Sequence, residues 1–173
     1  MKRFPGVFII LVGLLLIGQG CTYKLSLNGA SIPPSMKTVR VDFFENDAPL
    51  VVNTLSTTFT EALKARIRNT TRLDITRGEA DAVFSGSITD YSIAPVSIQA
   101  TNNNVAPIAG ASRLTITVKV KYQYDADKKL NFEQSFTKYE DFNGAISDHE
   151  PTLIADITKQ LTEDIFNAAF ASW

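Results

Sequence analysis

Between Arg113 and Tyr124 the sequence alternates without a break. Leu114, Ile116, Val118, Val120, Tyr122 and Tyr124 are apolar or aromatic, and Arg113, Thr115, Thr117, Lys119, Lys121 and Gln123 are polar. Successive side chains of a strand point to opposite faces, so a period of two kept over twelve residues describes a strand with one face on a core and the other in water. A slip of one residue would invert every side chain, which fixes the register. A sheet built around such a strand is covered on one side only.

Two helical stretches supply that cover. Val52, Leu55, Phe59, Leu63 and Ile67 recur at three- and four-residue spacing and predict one face of a helix that ends near Asn69. Asp47 and Pro49 read as its start, since proline near the first helical position loses no hydrogen bond. Its other face carries Thr and Ser, then Lys64, Arg66 and Arg68. Pro151 opens a second helix with a stripe of Ile154, Ile157, Leu161, Ile165 and Ala168, widened by Phe166, Phe170 and Trp173.

Four further stretches read as strands. In Lys37 to Phe44, Val39, Val41 and Phe43 alternate with Thr38, Arg40 and Asp42; Leu73 to Thr76 is a short strand. In Ala82 to Tyr91, Ala82, Phe84 and Ile88 share one face and Val83 and Ser87 the other, with Gly86 marking a bulge or a close approach to a helix. A polar turn at residues 125–129 leads to Leu130 to Tyr139, where Leu130, Phe132 and Phe136 continue the buried face. The order predicts an α+β fold: a two-layer α/β sandwich, with a mixed four- to five-stranded sheet and two amphipathic helices on one face.

The N-terminus fixes where such a domain works. Lys2 and Arg3 precede an uncharged apolar run from Val7 to Ile17, and small residues lead to the one cysteine, Cys21, behind Gly20. This is the pattern of a secretory signal with a lipid-attachment end; the run is too short for a bilayer core, which takes about 20 residues. An uncleaved anchor and ordinary secretion are the alternatives. The division expected is a signal peptide at 1–20, a lipidated tether and edge segment at 21–36, and a single domain at 37–173. Loss of Lys2 and Arg3 leaves fifteen bases against eighteen acids, a net charge of −3, so no basic field points to nucleic acid. With Cys21 acylated no thiol remains for a disulfide or a cysteine metal site, and no cofactor is expected.

Catalytic patterns are weak. The one histidine, His149, lies in Ser147-Asp148-His149-Glu150-Pro151, a helix-entry turn. No nucleophile elbow, phosphate loop or paired-histidine motif is present. Glu140 and Asp141 are adjacent, so on a strand they face opposite sides rather than forming an acid–base pair.

Several motifs together carry a family resemblance. Tyr23-x-Leu25 with Gly29-Ala30-Ser31-Ile32-Pro33-Pro34 follows the lipidation cysteine, and Lys37-Thr38-Val39-x-Val41-x-Phe43-Phe44 comes next. Ala80 to Tyr91 (ADAVFSGSITDY), Pro95 to Ala100 (PVSIQA) and Arg113 to Tyr122 (RLTITVKVKY) continue the pattern over nearly the whole chain. In these the chain resembles the LptE-type lipopolysaccharide-assembly lipoproteins of the outer membrane, in their Bacteroidetes-like form. The resemblance implies a two-helix, mixed-sheet sandwich anchored in the inner leaflet of the outer membrane. It implies a plug inside the LptD β-barrel translocon that helps deliver lipopolysaccharide to the cell surface. Thr22-Tyr23-Lys24 has neither an aspartate at the second mature position nor an acidic run, which fits a periplasm-facing anchor.

Two surfaces are candidates for such contacts. Arg113, Lys119 and Lys121 form a basic row on the wet sheet face, and Lys64, Arg66, Arg68, Arg72 and Arg77 a basic segment between helix and strand. Both suit the anionic phosphates and carboxylates of lipopolysaccharide. The alternative is a solvated strand face whose cations pair across the hairpin with Glu133. The stretch from Tyr91 to Ser112 has no charge, and its Val96, Ile98, Val105 and Ile108 suit a barrel wall or acyl chains. The expected function is a non-enzymatic lipoprotein that supports lipopolysaccharide transport in complex with an LptD-like barrel and contacts lipopolysaccharide itself. An envelope structural or binding lipoprotein with another client is the runner-up.

Overall fold

In a computed structural model of the chain, residues 32–96 and 111–171 are described. The elements are β1 (Thr38–Val41), β2 (Glu45–Asn46), α1 (Leu55–Thr70), β3 (Asp74–Ile75), β4 (Ala82–Pro95), β5 (Ala111–Tyr124), β6 (Phe132–Asn143) and α2 (Glu150–Phe170). The sheet order is β3-β1-β4-β5-β6, and β2 follows β1 along the same side of β4. β4, β5 and β6 form an antiparallel meander, while β1, β2 and β3 are parallel. The mixed sheet thus has six strand segments in five lanes, slightly more than expected.

The alternation that dominates the sequence is β5, the strand next to the sheet's edge. All six of its apolar residues from Leu114 to Tyr124 are buried. Over them lie the predicted faces of the two helices: Leu55, Phe59, Leu63 and Ile67 of α1, and Ile154, Ile157, Leu161, Ile165, Phe166 and Phe170 of α2. The helices pack on each other, α2 over β5 and β6 and α1 over β1, β2 and β3. Ala168 is exposed rather than part of the stripe, because Phe166 and Phe170 turn the buried face of the last turn away from it. Trp173 lies outside the described residues.

β4 shows why its alternation is blurred. Ala82, Phe84 and Ile88 face the core as predicted, and an unbroken strand would then turn Tyr91 to water. The register shifts between Ile88 and Asp90, so Thr89 is a bulge that resets the parity and buries Tyr91. Gly86 is instead the close approach. Its φ is +151°, and a Cβ there would lie 2.0 Å from the Lys119 carbonyl oxygen and 2.9 Å from the Phe44 ring. Its neighbours are a strand and an aromatic ring, not a helix.

Two local departures share a cause. Phe44 is buried and Phe43 is 56% exposed, reversing the predicted alternation, because the strand breaks between β1 and β2. The Phe44 amide donates to the Thr60 hydroxyl of α1 at 3.1 Å, and its ring meets Phe59 edge-on at 5.0 Å. Past the break, the Asp47 amide bonds Ile88, and Asn46 accepts from the Ala48 amide and donates to the Val52 carbonyl. These bonds hold residues 46–52 as a loop, so α1 starts at Leu55 rather than near Pro49. At the other end of β1, the Lys37 and Thr38 amides each donate to Asp81 at 2.8 Å, as does the Thr38 hydroxyl at 2.9 Å. Those donors lower the Asp81 carboxyl below its ordinary pKa and tie the β1 entry to β4.

Replacing Gly86 with alanine should therefore be costly. Overpacking costs about 1–3 kcal/mol, and backbone strain at such a φ another 1–3 or so. The expected result is a loss of at least about 2 kcal/mol in urea unfolding; a wild-type midpoint would show that β4 and β5 can move apart there.

Candidate functional site

On the wet face, the row Arg113, Lys119 and Lys121 is in place but largely engaged. Arg113 donates to both oxygens of Asp141, at 2.7 and 3.0 Å, and stacks 3.7 Å over the Tyr139 ring. Lys119 meets Glu133 at 2.7 Å, the pairing expected across the hairpin, with both side chains about half exposed (53% and 49%). Lys121 sits opposite Glu133 in the register and is exposed, with no ion pair among the described residues. The hydrogen bonds from Arg113 and Lys119 hold the carboxyls of Asp141 and Glu133 below the ordinary range. Between these pairs, hydroxyls cross the ladder, Thr117 to Thr137 at 3.0 Å.

The uncharged stretch is in part a strand extension. β4 runs to Pro95 opposite Ser112, and the Val96 amide donates to the Ala111 carbonyl at 2.9 Å. Ile98, Val105, Ile108 and the lipidation candidate Cys21 lie outside the described residues.

The basic segment divides. Arg66 turns towards α2, where it meets Glu163 at 3.5 Å and the Lys159 carbonyl. Lys64, Arg68 and Arg77 instead line one groove of about 580 Å³ together with Arg40, Asp42, Phe43, Glu61 and Asp74. Arg40 was hidden in the sequence because it is the polar partner in an ordinary strand alternation. Its signal lay in topology, since β3 returns beside β1 and brings Arg77 to it. A second, shallower groove of about 450 Å³ follows the α1–α2 seam, lined by Ala62, Ala65, Ala155 and the buried Thr158.

No group of three or more His, Cys, Asp and Glu side chains among the described residues is placed to hold a metal. His149 precedes the first residue of α2, its ring 6.2 Å from Phe142. Glu140 accepts from Gln160 on the helix side while Asp141 pairs with Arg113 on the other, so the two carboxylates diverge as predicted. No described helix is long and apolar enough to cross a membrane.

Replacing Arg113 with glutamine should raise the Asp141 pKa towards the ordinary value of about 3.9, read by carboxyl NMR titration. A carboxyl with a depressed folded-state pKa contributes stability above its unfolded value, lost as pH falls through the folded one. The difference in thermal midpoint between parent and variant should be present at pH 7 and shrink as the pH falls below the ordinary carboxylate value of about 3.9. An unmoved Asp141 would mean the pair is not formed in solution.

Known structures share this architecture at low identity. A hypothetical protein from Chlamydia trachomatis superposes with a TM-score of 0.50 at 11% identity, covering 80% of this chain and 100% of that one. A protein from Xanthomonas campestris gives 0.51 at 8% identity, covering 79% and 87%. The rare lipoprotein B of Shewanella oneidensis gives 0.47 at 14% identity over 75% and 92%. The first two support the two-layer fold. No curated protein matches the sequence. The sequence itself matches the LptE family, described as lipopolysaccharide-assembly, from residue 36 to residue 169, a span from just before β1 to the last turn of α2. The chain belongs to the LptE lipopolysaccharide-assembly family.

Proposed function

We propose that the protein is a non-enzymatic accessory of lipopolysaccharide transport. In this reading Cys21 is acylated and holds the domain at the inner leaflet of the outer membrane, facing the periplasm. The domain forms a complex with an LptD-like β-barrel and contacts lipopolysaccharide. The observation that carries this is the family match over the whole folded core. The sheet fits it: one face is sealed by two helices, and the other, from β4 to β6, is polar and open to a partner. The uncharged hairpin end, with Val96 at the last ladder bond, suits an apolar barrel wall better than water alone.

Affinity purification of the tagged chain from detergent-solubilised outer membrane should recover a β-barrel protein. Its absence at a detergent level that preserves other outer-membrane complexes would overturn the reading. The lipid should tether and not fold the domain, whose core closes among residues 32–171. A Cys21→Ala chain is expected to be released from membranes with an unchanged thermal midpoint. A Cys21→Ala chain that stays membrane-bound would mean that residues 1–20 or the barrel complex hold it there without the lipid.

A further inference from the structure

We infer that the groove at the open edge of β1 binds phosphate esters, with Arg68 and Arg77 as its ligand-facing groups. The groove exists because β3 is short. β3 pairs with β1 only through Thr38 and Val39, and after Ile75 the chain turns away, leaving the far half of β1 without a lane beside it. The end of β1 and Phe43 form one wall, the outer face of α1 a second, and the turn after β3 the third.

Charge within the groove is sorted by pairing. Four bases line it, Arg40, Lys64, Arg68 and Arg77, against three acids, Asp42, Glu61 and Asp74. Arg40 is held by Asp42 at 2.8 Å and Lys64 by Glu61 at 2.9 Å. Arg40 also donates to the Gly78 carbonyl at 3.2 Å, while the Gly78 amide donates to the Thr76 hydroxyl at 2.9 Å. Arg40 is therefore a brace for the turn that carries Arg77. Among the described residues, the side chains of Arg68 and Arg77 make no ion pair, and both are exposed. Asp74 is the one acid of the lining without a cation partner.

Two free guanidinium groups against one free carboxylate leave a net positive site with a preference. A phosphate monoester carries a charge of about −1.5 to −2 and three acceptor oxygens. A guanidinium meets it with two parallel N–H donors. Asp74 repels a dianion more than it repels a carboxylate, but the two guanidinium groups outweigh it, and the net attraction of the lining grows with ligand charge. Phe43, exposed at the lip, offers an apolar contact for the carbon side of an ester. Both a free phosphate and a lipid headgroup present this chemistry. The inference rests on the transport role proposed above and deepens it, placing recognition of a phosphate group in this one groove.

The test is calorimetric titration of the full chain in neutral detergent with two probes, inorganic pyrophosphate and a short-chain phosphatidate. Both are expected to bind, and the Arg68→Gln/Arg77→Gln variant to lose at least tenfold in affinity for each. Lys138→Gln, on β6 at the other edge of the sheet, should stay within twofold of the parent. Phosphatidate bound tenfold more tightly than pyrophosphate assigns the site to a lipid headgroup; equal affinities assign it to phosphate itself. Should the double variant melt early, Arg77→Gln alone, on its exposed turn, carries the test with an expected loss of threefold or more. Heat from neither probe, or affinity unchanged in the variants, would overturn the site. Neither result touches recovery of a barrel partner, which tests the transport role separately.

Discussion

The contact between β4 and β5 is the constraint on which the remaining structure depends. Their ladder runs from Ala82 opposite Tyr124 to Pro95 opposite Ser112, and every core-facing residue of β5 depends on its register. Two residues of β4 let that register close. Gly86 gives up its side chain so that the Lys119 carbonyl and the Phe44 ring can come close, and Thr89 steps out of the ladder so that Tyr91 can turn in. Tyr91 then donates to Glu150 at 2.7 Å, in the first turn of α2. Register in the sheet is thereby coupled to the position of a helix more than fifty residues away in sequence.

The two edges of the sheet are finished differently. At β6, Lys138 pairs with Asp164 at 2.8 Å and Glu140 accepts from Gln160, so polar side chains of strand and helix close the seam between the layers. Charged side chains of this kind also discourage strand addition at an open edge. At the opposite edge β3 is two residues long and seals nothing beyond Val39. The exposed Phe43 and the cations of α1 and the following turn gather where the sheet is unfinished.

Most of the fold was legible in the sequence because it rests on periodicity. β5 and the buried stripes of both helices are places where one face meets one core, and apolar spacing reports that directly. What was not legible depends on partners distant in the chain. Phe43 and Phe44 are adjacent apolar residues, and only the Thr60 hydroxyl reaching the Phe44 amide decides which is buried. Asp47 and Pro49 are sound helix-start signals, overruled because Asn46 and β4 hold that stretch as a loop. Among candidate site residues, sequence showed which cations share a strand face but not which are already paired. Lys119 pairs with Glu133 as the solvated-face reading expects, Arg113 is engaged by Asp141 instead, and Arg68 and Arg77 join Arg40 only through the β1–α1–β3 crossover.

The chain direction gives the domain two ends with different chemistry. Residues just before β1 run beneath the sheet, where the Ser35 hydroxyl bonds that of Tyr124 at 2.7 Å and the Tyr122 hydroxyl reaches Met36. Ser35 and Met36 therefore lie at the end of the sheet where β4 begins and β5 finishes. Val41, at the groove, pairs with Phe84, near that same end, whereas the uncharged hairpin end at Pro95 is eleven residues farther along β4. At about 3.3 Å per residue that separates them by roughly 36 Å. The groove and the last ladder bond of β4 therefore lie at opposite ends of the sheet. The phosphate site and the barrel contact proposed above would occupy these two ends and would not compete for one face.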